Sequence, residues 1–522
     1  MKRSNGIQRL KEEKTPWDVV IIGGGATGLG SALDAVSRGY RTVISEQADF
    51  ANGTSSRSTK LMHGGVRYLR QGNVPLVRES LREREWLLKH VPHQVRSQPF
   101  MIPTYSIWET WFYRIGLWFY DLLAKRGGVE STKRFNKAGA LERVPTLNDK
   151  KLAGGVMYWD GQFDDARLCI QTAQTVWDKG GLALNYLKVE KLIKTDGQIS
   201  GVEVVDKLSG DSFVVEGRSF ILATGIFSDE LRHEDNPDAP KIISASRGSH
   251  IVVDAEFLPA KTAIMVPKTS DGRLLFMVPW LGKVIVGTTD IQDENICLEP
   301  QATEEEVDFI IANASPYLSR PIKRSDIRSV FSGLRPLVRA PGSSGKTSAI
   351  SRDHFIDISS TGLITIAGGK WTTFRNMGED AIDHAIKVGK LHDRPSRSLT
   401  MRFHGFRANQ PESDAIFSAY GSDADILEEW IRERPELGEA IHPNLSSTWA
   451  EVLFAVREEL AESVEDILAR RTRSLSLDVQ AAIEVAPIIA QFMAKEKGLD
   501  ESWKKSSIES FLAIAQHYKL AN

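Results

Sequence analysis

The sequence predicts an α/β fold whose parallel sheet carries a dinucleotide site, with a helical region at its C-terminal end. Three observations point there. An apolar run, a glycine-rich turn, an amphipathic stretch, a second apolar run and an acidic residue follow one another between Trp17 and Gln47. Two later apolar runs, each ending in small residues, have the form of further strands of the same sheet. After about Pro395 the composition shifts to amphipathic helical segments.

The first unit reads "WDVVIIGGGATGLGSALDAVSRGYRTVISEQ". Asp18 to Ile22 is short, apolar and β-branched, as a parallel strand buried on both faces must be. Gly23, Gly25 and Gly28 then form G-x-G-x-x-G. Gly23 allows the tight turn, Gly25 lets backbone approach a pyrophosphate, and Gly28 lets helix and strand pack closely. Leu29, Ala32, Leu33, Ala35 and Val36 mark one face of a helix that Gly39 is placed to end. Its first turn, at Ala26 and Thr27, offers unpaired N–H groups to phosphates. "RTVISE" reads as the second strand and ends at Glu46, eighteen positions after Gly28. That is near the spacing of a carboxylate that accepts from a ribose hydroxyl. An acid there suits an unphosphorylated ribose, hence FAD or NAD.

The two later pieces separate those cofactors. Ser219 to Ala223 is a strand that runs into Thr224 and Gly225, in "RSFILATGIFSDEL". "GLITIAGGKWTTF" sets Gly368, Gly369 and Lys370 after another strand, with a helix start at Thr372 or Thr373. Small residues there allow close approach to a flavin ring or its ribityl chain, a return that a nicotinamide enzyme does not need. The order favours FAD, and Val189 is a further candidate contact.

With 522 residues, 41% hydrophobic and 26% charged, the chain has enough apolar residues for several cored domains. A net charge of −2 gives no sign of bulk nucleic-acid binding, though it leaves room for a local basic patch. Cys169 and Cys297 form no C-x-x-C, and no Cys/His cluster has metal-ligand spacing, so reduced thiols and no metal are expected. The first residues lack the apolar core of a secretory signal, and no stretch reaches the ~18 apolar residues of a spanning helix. No nucleophile elbow or Walker A loop occurs.

One segment fits none of the ordinary elements. "TSSRSTKLMHGGVRYL", Thr54 to Leu69, combines hydroxyls, Gly64-Gly65, His63, Arg57 and Arg67. Together with "IIGGGATG", "DGQFDDARL", "RGSHIVV", "LLFMVPWLGKVIVGTTD", "SGLRPL", "SRDH", "AGGKWTTFR" and "EDILARRTR", it resembles the FAD-dependent glycerol-3-phosphate dehydrogenases, which belong with the amino-acid-oxidase-like flavoproteins. The resemblance runs from Asp18 to Arg473. It implies a two-dinucleotide-binding-type FAD domain with a mixed-sheet substrate domain over the flavin. With the composition, it divides the chain into FAD-binding parts at 17–100, 181–240 and 341–395, a helical insertion at 101–180, a substrate domain at 241–340 and a C-terminal helical domain at 396–522.

The resemblance also implies the site. Thr54, Ser55 and Ser58 would serve cofactor phosphate and ribityl oxygens, and Gly64 and Gly65 would lie against the isoalloxazine. His63 and Arg67 would face glycerol 3-phosphate. Arginine binds phosphate bidentately and stays charged when desolvated. Arg335 is expected near the reacting end and Arg352 at the phosphate. The proton acceptor is His250 or His63, with a preference for His250, which begins the expected strand "IVV". Lys370 would stand beside the flavin N1 and C2 oxygen. Tyr68 would bond the phosphate or line the pocket. The implied reaction is oxidation to dihydroxyacetone phosphate, with hydride passing to the flavin and electrons to quinone. Oxygen as acceptor, in an oxidase of glycerol 3-phosphate or of another small hydroxy or amino acid, is the alternative.

Two segments remain. In "IWETWFYRIGLWFYDLLAKRGG", Trp108, Trp111, Phe112, Ile115, Trp118, Phe119 and Leu122 recur at helical spacing, and Gly127-Gly128 marks a stop. Six basic residues (Arg114, Lys125, Arg126, Lys133, Arg134, Lys137) face three acidic ones (Glu109, Asp121, Glu130) between Met101 and Lys137. This is either a core helix or an interfacial helix on an anionic membrane. The resemblance supports the second, with a cytoplasmic enzyme peripheral on the inner face of the membrane, and a homodimer as an open expectation. In the C-terminal region Ser446 or Ser447 is the expected N-cap of a helix. "EDILARRTR" is read as a structural element or a docking surface.

Overall fold

The computed structural model describes residues 2–65, 73–124, 129–339, 353–408 and 417–520. Arg67, Tyr68, Lys125, Arg126, Gly127, Gly128 and Arg352, named above, lie outside these residues.

The opening unit folds as its apolar pattern requires. Strand Val19–Ile22 pairs in parallel with Thr42–Ser45 on one side and Phe220–Leu222 on the other. The sheet has six strands in the order His354–Ile358, Leu363–Gly368, Phe220–Leu222, Val19–Ile22, Thr42–Ser45, Leu182–Leu184. Its His354–Ile358 edge strand is the antiparallel one. Alternation divides each strand between two cores. Val19 and Ile21 pack under helices Ala26–Ser37, Asp165–Asp178 and Phe374–Val388. Val20 and Ile22 pack against a three-stranded antiparallel sheet, Leu187–Thr195, Gln198–Asp206 and Ser212–Glu216. Burial on both faces is why these strands are uninterrupted apolar runs.

A second, mixed sheet of ten strands stands beside the first. Near one end of it, Ile243–Asp254 is flanked by Lys283–Gly287 and Ile327–Val338, both antiparallel. His250 therefore lies within a twelve-residue strand and does not begin it. The polar residues Ser244, Ser246 and Arg247, which mask the strand in the sequence, are paired in the ladder like the apolar ones after them. Strands Val95–Thr104, Lys133–Asn136 and Gly154–Phe163 join the same sheet. The stretch expected as a helical insertion, 101–180, thus supplies strands as well as helices.

The C-terminal helices Trp449–Glu458, Val479–Lys497 and Glu501–Gln516 share a core with Val252, Trp280, Ile285 and Phe331 of this sheet. Trp449–Glu458 is capped by Thr448, not by Ser446 or Ser447. Thr448 Oγ1 accepts from Glu451 N–H while the Glu451 carboxylate accepts from Thr448 N–H, a reciprocal pair that only residues three apart can make. "EDILARRTR" is not a surface. Arg470, Arg471 and Arg473 are buried. Arg470 pairs with Asp49 at 2.6 Å and Asp466 at 2.7 Å, Arg471 also pairs with Asp49, and Arg473 pairs with Asp165 at 2.8 Å. These pairs hold the Asp49 carboxyl down at about 2, against the effect of its burial.

Two histidines set opposite pH responses. Burial holds His93 down at about 4, whereas Asp178 and Asp423, on either side of His404, hold it up at about 10 despite its partial burial. Unfolded histidine titrates near 6.5. Stability from His404 is fully present below about 6.5 and is lost as pH rises towards 10; that from neutral His93 is lost as pH falls from about 6.5 towards 4. His404→Gln should therefore lower Tm by roughly 3 °C or more at pH 6 and by little near pH 10, read by calorimetry; an equal loss at both pH values would contradict the assignment.

Candidate active site

A cavity of about 360 Å³ follows the ends of the parallel strands. Its walls include Gly23, Gly25, Ala26, Thr27, Glu46, Thr54, Ser55, Val189, Ala223, Gly225, Gly368, Gly369 and Lys370. The turn shows why glycine stands in it. Gly23 has φ +113°, and a Cβ there would meet Ala223 O at 2.5 Å. Gly28 does not line the cavity; a Cβ there would lie 1.9 Å from Gly23 O, so its role is close packing of helix on strand. At the helix start, Gly25 caps without a side chain, and Ala26 N–H donates to Ser55 Oγ at 2.9 Å. Glu46 accepts from Gly24 N–H at 2.6 Å and Ala48 N–H at 2.9 Å. Burial pushes its carboxyl up, opposed by those two N–H groups.

A second cavity of about 300 Å³ opens from the first, sharing Thr54, Gly369, Lys370 and Trp371. His63, Gly65, His250, Arg335, Thr372 and Ser58 border it. Its floor comes from the strands Ile243–Asp254 and Ile327–Val338. Register sets Ser246 opposite Arg335, Gly248 opposite Gly333 and His250 opposite Phe331, and alternation puts all six on one face. The central glycine pair leaves the space. A Cβ on Gly248 would sit 2.2 Å from the Arg335 guanidinium, and one on Gly287 would sit 2.4 Å from the His250 ring. Arg335 donates to Thr288 Oγ1 at 3.1 Å and Thr289 O at 3.2 Å and lies 3.6 Å from Asp290. His250 is 1% exposed. Burial, then the nearby Arg335 and Lys60 cations, push its pKa far down, so the ring is neutral.

Three expected contacts are placed differently. The Thr54 hydroxyl donates to Leu334 O at 2.5 Å, across to the floor strand. Ser58 bonds the Asp165 carboxylate through both N–H and hydroxyl, at 2.9 and 2.7 Å. Gly64 lies outside both cavities; a Cβ there would meet Leu81 and the Tyr120 hydroxyl at 2.4 Å.

Residues 18–375 match the family model "FAD dependent oxidoreductase", and residues 359–504 match "C-terminal domain of alpha-glycerophosphate oxidase". The chain is 39% identical to the mitochondrial glycerol-3-phosphate dehydrogenase of Bos taurus, over 96% of this chain and 74% of that one. It is 36% identical to a mitochondrial glycerol-3-phosphate dehydrogenase of Arabidopsis thaliana, over 97% and 86%. The solved glycerol-3-phosphate dehydrogenase of Bacillus halodurans, complexed with FAD, superposes with a TM-score of 0.81 at 28% identity, covering 99% of this chain and 97% of that one.

The chain belongs to the FAD-dependent oxidoreductase family. Its cofactor is FAD, and the residues present fit it. The helix N-terminus beside Gly25 can receive the pyrophosphate, Glu46 can accept from a ribose hydroxyl, and the small residues Gly368 and Gly369 leave room where the two cavities meet.

Sequence reasoning missed several lining groups. Thr288 and Asp290 end the quoted motif "LLFMVPWLGKVIVGTTD", yet no property of a lone Thr or Asp marks them; only the strand pairing brings them to Arg335. Asp160, from "DGQFDDARL", accepts from Arg84 at 2.7 Å and from the Tyr120 hydroxyl at 2.9 Å, and also borders the second cavity. Arg57 is tied to Glu299 and to the backbone of Gly53. Arg273 also reaches this cavity, from a loop the sequence reading passed over. Replacing Glu46 by Ala should leave the fold intact but weaken FAD retention about 10-fold or more, the scale of one charge-assisted hydrogen bond; the FAD-to-protein absorbance ratio after gel filtration checks it.

Proposed function

We propose that this chain oxidises sn-glycerol 3-phosphate to dihydroxyacetone phosphate and passes the electrons to a quinone at a membrane surface. The observation that carries the reading is the placement of Arg335 and His250 on one sheet face, on adjacent strands either side of the Gly248–Gly333 pair, in a cavity that opens onto the dinucleotide cavity. The names of the relatives support the substrate, and the family supports the cofactor.

Bound FAD supplies the hydride acceptor. The chain's own residues do the rest. Arg335, oriented by Thr288 and Thr289, presents a fixed cation towards the oxygen-rich substrate. Arg67 and Arg352 are our further candidates for the phosphate, with Tyr68 beside them. His250, neutral and buried, is our proton acceptor for the C2 hydroxyl; His63 borders the same cavity and is the alternative. Lys370 donates to Ser80 Oγ at 3.2 Å and lines both cavities, which suits a cation that stabilises negative charge on the reduced cofactor.

The acceptor reading rests on the helix Ile107–Ala124. Its inner side, Leu117 and Tyr120, is buried, and Tyr120 reaches Asp160 of the cavity wall. The opposite side leaves Ile107, Trp108, Trp111, Phe112, Ile115, Trp118, Phe119 and Leu122 exposed, Trp108 by 84%. That is too much contiguous apolar surface for a core helix, and it suits the headgroup region of a bilayer. Among the described residues no helix is long and apolar enough to cross a membrane.

Mixing the purified protein with glycerol 3-phosphate without air should bleach its flavin band, and glycerol should not; an unchanged band would refute the substrate. Subsequent reoxidation by a quinone analogue, with no peroxide released in air, separates a dehydrogenase from an oxidase. Arg335→Ala should retain FAD and lose about 100-fold or more in kcat/KM, equivalent to about 3 kcal/mol of contact to a charged group. Replacing Trp108 and Phe112 together by Glu should abolish sedimentation with anionic phospholipid vesicles while turnover with a soluble acceptor persists.

A further inference from the structure

The loop 52–55 lines the dinucleotide cavity, and one side chain sets which way its peptide groups face. Arg57 Nη1 donates to Asn52 O and, at 2.9 Å, to Gly53 O. In a trans peptide the C=O and N–H of one unit point in opposite directions. Two carbonyls drawn to Arg57 therefore turn the N–H groups of Gly53 and Thr54 away from it. Neither N–H has a hydrogen-bond partner among the described residues, and Gly53 and Thr54 both border the cavity that takes FAD. Arg57 itself stands on the other side of the loop, at the second cavity.

Two segments far along the chain set the direction of the Arg57 fork. Nη2 pairs with one oxygen of Glu299, and the other oxygen accepts from the Tyr518 hydroxyl at 3.3 Å. Glu299 follows Leu298, which also lines the dinucleotide cavity. Tyr518, in the turn after helix Glu501–Gln516, is buried, and its C=O accepts from Val330 N–H of the floor strand at 2.9 Å. Burial and the neighbouring Glu299 push its phenol up to about 12, so it remains a donor. Gly333 seats the Arg57 stem: a Cβ there would meet Arg57 Cβ at 2.8 Å. The C-terminal region also holds the loop a second time, because the Asn52 side-chain oxygen accepts from Arg470 at 3.3 Å.

We propose that Glu299 and Tyr518 are positioning residues for the cofactor: they aim Arg57 at the carbonyls of Asn52 and Gly53, and this turns the Gly53 and Thr54 N–H groups towards oxygen atoms of FAD. The end of the C-terminal region thereby completes the cofactor site. The inference needs FAD but neither the substrate nor the acceptor, so it stands or falls apart from the proposed function.

The test measures FAD release from holoenzyme of wild type, Glu299→Gln, Tyr518→Phe and the double variant, at a temperature well below every Tm. Release is read as the rise of free-flavin fluorescence after dilution. Glu299→Gln keeps the side chain's shape and loses its charge, and should speed release at least about 10-fold, the scale of one charge-assisted hydrogen bond. Tyr518→Phe removes a single neutral donor and should speed it about 3-fold. Both groups act on one guanidinium, so their effects should not multiply: the double variant should release FAD as fast as Glu299→Gln alone. The Tm of each holoenzyme should fall further than that of its apoprotein, because weaker binding withdraws the stabilisation that FAD gives. Wild-type release rates in both single variants, multiplied effects in the double variant, or equal losses of Tm with and without FAD would overturn the proposal; the last is what a merely structural cluster predicts. If Glu299→Gln does not fold, Tyr518→Phe decides by the same two measurements.

Discussion

The Asp165 carboxylate is the joint on which the site depends. It is fully buried, and it receives Lys60, Arg473, the Ser58 hydroxyl and N–H, and the N–H of Ala166 in the first turn of its own helix. A buried carboxylate with fewer partners would be costly; removing one partner of such a group typically costs about 3–5 kcal/mol. These partners come from three distant parts of the chain: the loop after the second parallel strand, a helix under the FAD sheet, and the C-terminal helices. Without the C-terminal region the carboxylate keeps Lys60 but loses Arg473. The carboxylate thus joins the loop, the helix and the C-terminal region in one buried cluster. Lys60 also lies 5.4 Å from the rings of Trp280 and Phe331, and Arg473 lies 5.4 Å from Trp280, so the same cluster packs against Phe331, the ring stacked on His250. Burial and the Arg473 charge draw the Lys60 ammonium down to about 7, with Asp165 opposing them.

The reaction space is made by absences. Gly248 and Gly333 oppose one another between Arg335 and His250, and Gly287 gives way beside the imidazole. A Cβ on Gly248, Gly333 or Gly287 would run into the Arg335 guanidinium, Arg57 or the His250 ring, so the glycines are what let these side chains lie where they do. Around this gap the polar groups are held by neighbours: Thr288 and Thr289 hold Arg335, Phe331 and Thr59 hold His250. Pre-oriented groups of this kind need no reorganisation when charge moves.

The aromatic helix belongs to the same frame. Tyr120 shares Asp160 with Arg84, and Asp160 also lines the substrate cavity and receives Gly64 N–H at 3.3 Å. The helix thus meets the active site by its polar, buried side and turns its tryptophans outward. Docking of that outer face on a bilayer would bring a lipid-soluble acceptor to within one helix thickness of the cavity wall, about 10 Å.

Much of the fold was legible because local physics specified it. Gly23, Gly25 and Gly28 are dictated by a turn and two close approaches, and Val19–Ile22 by burial on both faces. Glu46, picked out by its spacing from Gly28, lines the first cavity. The cavity residues from Gly368 to Thr372 were legible for the same reason: a strand end followed by small residues has few other uses. By itself the sequence determined the dinucleotide turn, the order of the parallel strands' glycine-rich ends, the helical tail and the apolar periodicity of Ile107–Ala124. Only the tertiary structure decided that Ser58 serves Asp165, that "EDILARRTR" is interior, that Thr448 caps its helix, and that Thr59 meets His250. Each of these depends on partners up to hundreds of residues apart or on a choice among adjacent hydroxyls. A side chain's hydrogen-bonding capacity is written in its type, but its partner is chosen by the packing that brings two segments together.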